Sequence, residues 1–204
     1  MDSFTRSFLL LFVLLNPFIL SVYMLDLVKT LPFGDFARQL TRAVAISFVV
    51  FAIFAWAGEA VFANVMQVRF FSFLIFGGIV FLIIGIRLLG QTPSPPLQPQ
   101  DREVAASIAM PYIVGPGTIS ASVVAGARLD MPRAFVAIAL ALALAFVAIL
   151  VFKRLHDLVR ARNERLVHRY TEIAGRVTGL FAGSFAIDMI LRGLEGWLEV
   201  LSGG

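Results

Sequence analysis

Residues 70–89 read FFSFLIFGGIVFLIIGIRLL, with Arg69 just before the stretch and Arg87 its single charge. Twenty residues of α-helix rise about 30 Å, the thickness of a bilayer's hydrocarbon core. The stretch is apolar on every side, which a helix lying on a soluble core has no use for. Residues 134–152 read AFVAIALALALAFVAILVF and carry no charge at all. Two such segments make the chain a membrane protein. Composition extends the conclusion to the whole length: 59% of the 204 residues are hydrophobic, 15% are charged, and Phe alone supplies 20. A soluble domain of this size has no interior able to take up that much apolar side chain.

Charged residues bracket six candidate spans, at about 7–27, 43–62, 70–89, 104–124, 134–152 and 173–191. The fold expected is therefore all-α and polytopic, with six transmembrane helices. Asp2 stands where a signal peptide would be basic and no small-residue cleavage site follows, so the first span is expected to be retained. The sixth span carries Gly175, Gly179 and Gly183 at four-residue spacing, which suggests a closely packed helix face. With six spans both termini share a side. Five basic residues fall on that side and twelve on the other, most of them in the fifth loop between Lys153 and Arg176. The positive-inside rule puts the basic loops in the cytoplasm and both termini outside, periplasmic if the membrane is a bacterial inner membrane. The fifth loop mixes arginines with Leu155, Leu158, Val159 and Leu166 and is expected to lie as a helix along the headgroups.

A proline-rich linker, residues 93–100, divides the chain into halves 1–92 and 101–204 with three spans each. An odd number of spans per half relates the halves by inversion across the membrane. Helix breakers fall at matching places: Asn16-Pro17 in the first span and Gly115-Pro116-Gly117 in the fourth, with Pro116 lying 99 positions after Pro17. Gly78 and Gly85 match Gly179 and Ala186 at an offset of 101, a register that sets Arg87 opposite Asp188. Paired interruptions in the leading helix of each half point to two inverted three-helix repeats around a site near the midplane.

A proline inside a span removes one amide donor and frees a carbonyl. In lipid, freed backbone groups persist only where they are buried in protein or line a cavity. Broken helix ends offer amides to a carboxylate and carbonyls to an ammonium, which suits a zwitterionic amino acid. A plain proline kink is the alternative for Asn16-Pro17 alone; the partner motif in the second half favours a site. The candidate binding residues are Asn16, Pro17, Pro111, Gly115, Pro116, Gly117 and Thr118.

The segments carrying these breaks resemble the MarC family of bacterial inner-membrane proteins. The similarity rests on Leu14-Leu15-Asn16-Pro17, Gly77-Gly78-Ile79, Gly85-Ile86-Arg87, and Ala109-Met110-Pro111 through Gly115-Pro116-Gly117-Thr118-Ile119. Gly179-Leu180-Phe181 through Arg192-Gly193 is similar to that family's last helix. The resemblance covers essentially the whole chain. It implies a six-helix membrane protein grouped with small neutral amino acid transporters and similar in layout to LysE-type exporters. The chain departs from the family pattern at Asp188 and Arg192 and in its short linker.

Asp188 is the sharpest intramembrane charge. It is expected to neutralise Arg192 one turn on or Arg87 on the repeat register, or to carry a coupling proton. His156 and His168 lie among arginines and read as surface residues. The sequence holds no cysteine and two histidines, so thiol catalysis, disulfides and a His-rich metal site fall away. No Walker motif, paired-aspartate or His-Glu-x-x-His motif is present. The expectation is a transporter or exporter of a small neutral amino acid or similar metabolite. It is not expected to be an enzyme or to have a cofactor, catalytic residue, metal ligand or nucleic-acid partner. Its driving force would be a proton or sodium gradient, or the gradient of its substrate, and a homo-oligomer is compatible with its glycine faces. The alternative is a non-transporting membrane scaffold that docks a partner on the basic fifth loop.

Overall fold

The computed structural model describes residues 2–58, 69–90, 113–160 and 164–202. All regular structure among them is helical: α1 (Ser3–Leu15), α2 (Pro17–Tyr23), α3 (Leu25–Thr30), α4 (Phe33–Ala57), α5 (Phe70–Leu89), α6 (Pro116–Arg128), α7 (Met131–Arg160) and α8 (Glu164–Ser202). Three described segments are each long and apolar enough to cross a membrane: Phe33–Ala57, Phe70–Arg87 and Met131–Val159.

The third expected span coincides with α5, where charge and glycine mark both ends. The first does not form one helix. It is cut into α1, α2 and α3, because Pro17 breaks the ladder and Met24 interrupts it again. The second span begins ten residues earlier than expected, at Phe33, since Pro32 starts the helix well before the apolar run. Of the fourth, residues 104–112 lie outside the described residues, as do the linker 93–100, Pro111 and the end of the second span.

The fifth loop departs from expectation. No separate surface helix forms: α7 continues through Lys153 and Arg154 to Arg160, and α8 starts at Glu164. Lys, Arg and Leu are good helix formers, so nothing stops the preceding helix where its apolar run ends. His156 is also corrected. It is 7% exposed, because this last stretch of α7 is packed against the body of the protein.

Two packing modes build the molecule. Large side chains make the core among α1–α4, α6 and α7, with Leu11, Phe36, Leu40, Phe51 and Ile138 fully enclosed. By contrast, α5 and α8 meet through backbone. A Cβ on Gly78 would lie 2.7 Å from the Ala186 carbonyl, one on Gly85 would lie 3.0 Å from the Gly179 carbonyl, and one on Gly193 would lie 2.8 Å from the Phe71 carbonyl. The pairing numbers rise on one helix as they fall on the other, so the pair is antiparallel. Small residues let two helices approach to carbonyl contact, the interaction that lipid rewards where there is no hydrophobic drive. The expected glycine row on the sixth span is thus a packing face at Gly179 and Gly183.

The two sides of the linker interlock. α1 packs on α6 and α7, α4 packs on α6 and α7, and α5 packs on α8 and α6. At Gly126 the backbone of α6 reaches α4, where a Cβ would fall 1.9 Å from the Ala55 carbonyl.

Candidate functional site

The break after α1 follows from two residues. Pro17 has no N–H for the Val13 carbonyl, so the helix ends, and Pro17 then serves as the first residue of α2, where its fixed φ suits a helix start. Asn16 turns the chain with φ 37° and ψ 81° while its amide still donates to the Phe12 carbonyl at 3.1 Å. Asparagine tolerates this left-handed conformation better than other side chains. The Ser21 hydroxyl donates to the Pro17 carbonyl at 2.7 Å and ties down the new helix.

The second break is built by Gly115, Pro116 and Thr118. Gly115 is extended and precedes α6, with Pro116 in its first turn. The Thr118 hydroxyl accepts from the Gly115 amide at 2.9 Å and lies 2.9 Å from both the Ile113 and Gly115 carbonyls. The Gly115 carbonyl also receives the Ile119 amide at 2.9 Å. Thr118 is 6% exposed, so its hydroxyl is spent on shaping the loop. The Pro116 ring seats on Gly77 of α5, where a Cβ would come within 2.0 Å of the proline Cγ.

These breaks meet. One cavity of about 30 Å³ is lined by Leu14, Leu15, Asn16 and Leu20 from the first break and by Ile113, Gly115, Gly117 and Thr118 from the second. Phe81 of α5 and Ala182, Phe185 and Met189 of α8 close it. Its volume is room for about two waters. The C-terminal end of α1 and the N-terminal end of α6 both face it, one a source of carbonyls and the other of amides. Gly117 is open towards the cavity: a Cβ there would meet Met189 Sδ at 3.6 Å and Leu14 Cδ2 at 3.8 Å, ordinary contacts.

Of the expected binding residues, the structure brings Asn16, Gly115, Gly117 and Thr118 to the cavity wall, and sets Pro17 and Pro116 at the breaks that shape it. Pro111 lies outside the described residues. Asp188 does not line the cavity. It pairs with Arg192, whose Nε lies 2.8 Å from Asp188 Oδ2, and both side chains are more than half exposed. Arg87 is not near that pair. Gly78 faces Ala186 and Ile190, which sets Asp188 level with Gly78. Arg87 is nine residues further along α5, about 13 Å away along the axis.

A second polar cluster closes one end of the molecule. Lys153 of α7, 2% exposed, donates from Nζ to the Val28 carbonyl of α3 and to Asp157 Oδ1, each at 2.7 Å. The reason lies in the sequence. Val28 would receive its helical bond from residue 32, which is Pro32, and a proline has no amide to give. The lysine takes that place and adds a favourable charge at a helix C-terminus.

The family model described as MarC family integral membrane protein matches residues 1–198. The chain belongs to the MarC family. It is also similar to the UPF0056 membrane protein MJ1677 of Methanocaldococcus jannaschii, with 25% identity over 97% of this chain and 98% of that protein. No solved structure matches it. As a MarC protein the chain is an integral membrane protein, as its apolar helices require.

Sequence reasoning missed several residues of this MarC chain. Phe81, Phe185 and Met189 reach the cavity from helices whose apolar faces all look alike in sequence. Lys153 could have been found: Pro32 announces an unpaired carbonyl at Val28, although nothing in the sequence says which cation fills it.

Proposed function

We propose that this MarC protein is a secondary transporter of a small neutral amino acid or a metabolite of similar size and charge. Asn16, Pro17, Gly115, Pro116, Gly117 and Thr118 form its substrate site. The observation that carries this reading is the meeting of two helix breaks, 99 positions apart, at one cavity. Carbonyls at the end of α1 suit an ammonium, and amides at the start of α6 suit a carboxylate. Phe81 and Phe185 leave little room for a bulky side chain.

The halves 1–92 and 101–204 act as inverted repeats. Support comes from the cross-wise contacts. Gly78 meets Ala186 and Gly85 meets Gly179, so each glycine touches the residue 101 positions beyond its neighbour on the other side. Reciprocal pairing of that kind is what a two-fold relation produces. Leu14 and Ile113, and Asn16 and Gly115, line the cavity at the 99-residue offset.

A cavity this small corresponds to a closed state, and loading requires one half to move against the other. The Lys153–Val28 clasp holds the end that the basic residues assign to the cytoplasm, and the Gly126–Ala55 contact holds another crossing between the halves. Both termini are then on the outer side of the cytoplasmic membrane. A proton or sodium gradient, or the substrate's own gradient, drives the cycle, and Asp188, outside the cavity, takes no part in holding the substrate.

Equilibrium binding of labelled glycine and alanine to the purified protein tests the site. Wild type is expected to bind saturably. Gly117→Ala keeps binding, since its methyl meets only ordinary contacts, and Gly117→Leu, which fills the cavity, loses it. Equal binding by wild type and Gly117→Leu would remove the site from this position.

A further inference from the structure

The flank of α8 that turns away from α5 carries a charged pair at a depth where the rest of the described surface has none. Asp188 is level with Gly78, which stands eight residues from Phe70 and eleven from Leu89. That is about 12 Å and 16 Å from the two ends of a membrane-spanning helix, close to mid-depth. At comparable depth the exposed side chains of the other long helices are apolar, as at Val49 of α4, Ile79 of α5 and Leu140 of α7. Asp188 and Arg192 are exposed by 54% and 65% at the side chain. Ion pairs are costly against hydrocarbon and are found facing protein or water.

We propose that this face of α8 is covered by the same face of a second copy of the chain. The two α8 helices then lie side by side about a two-fold axis along the membrane normal. Charge complementarity selects that occupant. Arg192 folds back to within 2.8 Å of Asp188, so each copy presents a carboxylate and a guanidinium side by side at one level, and a two-fold axis along the membrane normal sets each against its opposite. Arg192 faces Asp188 of its own chain through Nε at 2.8 Å, which leaves the other edge of its planar fork for the carboxylate of the second copy. The resulting four charges sum to zero and shield one another from lipid. Spacing agrees. Val177, Phe181, Ser184, Asp188 and Leu191 recur at alternating steps of four and three, all exposed, which is the seam of a left-handed helix pair. Ser184 keeps its centre small. This inference rests on the fold and not on the transport reading.

The absence of native cysteine makes the test clean. Ser184→Cys and, as a control on another exposed face, Leu140→Cys are oxidised in native membranes. A disulfide-linked dimer is expected from Ser184→Cys alone. Independently, the mass of the wild-type protein in nanodiscs is expected to be twice 22.3 kDa. Asp188→Ala should shift it to the monomer, and exchanging the charges, Asp188→Arg with Arg192→Asp, should restore the dimer. A monomeric wild type with no Ser184→Cys cross-link overturns the proposal. So does a cross-link to a different protein, or labelling of Ser184→Cys by a water-soluble, membrane-impermeant thiol reagent, which would make the face a wall of an aqueous path.

Discussion

Asn16 and Thr118 do the same work by different means. Asn16 turns the chain with its own backbone, while Thr118 ties a turn with its hydroxyl. The sequence announces both breaks through the prolines that follow, because a missing N–H is a fact of composition. It does not announce the left-handed φ at Asn16, since asparagine also occurs in ordinary helix and turn geometry. Nor does it reveal that Thr118 bonds its own loop; from spacing alone the hydroxyl could equally have faced a ligand. Thr118→Val tests that assignment. It strips the Gly115 amide of its partner and is expected to lower stability by about 1–3 kcal/mol. Thr118→Ser keeps the oxygen and is expected to stay close to wild type, with thermal unfolding in detergent as the measure. If valine and serine unfold alike, the hydroxyl is not what holds the break.

The elements show where sequence pattern carries and where it stops. Glycines at four-residue spacing point to a close helix face, and α8 meets α5 through Gly179 and Gly183. Spacing cannot say which glycines have room to spare. A Cβ on Gly78 would strike the Ala186 carbonyl, whereas one on Gly183 would meet nothing within 4 Å. Gly78→Ala is therefore expected to loosen α5 from α8 and lower the unfolding temperature by several degrees, a shift corresponding to about 1–3 kcal/mol of overpacking. Gly183→Ala is expected to be neutral or slightly stabilising, since alanine restrains the unfolded chain. Equal effects at the two positions would contradict the packing. The basic stretch after residue 152 fails as a surface helix for a plain reason. Arginine, lysine and leucine continue a helix as readily as they start one, so α7 runs on and buries Lys153 and His156.

Across the whole molecule, hydropathy marks the membrane class and the clean interval of α5, because lipid imposes length and apolarity together. It marks the ends of the first and second spans poorly, because prolines there, not charges, set where helices begin. The inverted repeat proposed for the halves has only a weak signal in sequence at any one position. Support for that proposal comes from Gly78, Gly85, Gly179 and Ala186, which pair crosswise, and from the two breaks that share a cavity. Flux is the direct test of transport. Purified protein in proteoliposomes is given labelled glycine, alanine or serine under an imposed proton or sodium gradient. Gradient-dependent accumulation is expected for wild type and Gly117→Ala and absent for Gly117→Leu, with all three proteins folded to the same extent. Accumulation unchanged in Gly117→Leu, or no movement of any of these substrates by wild type under either gradient, would contradict it.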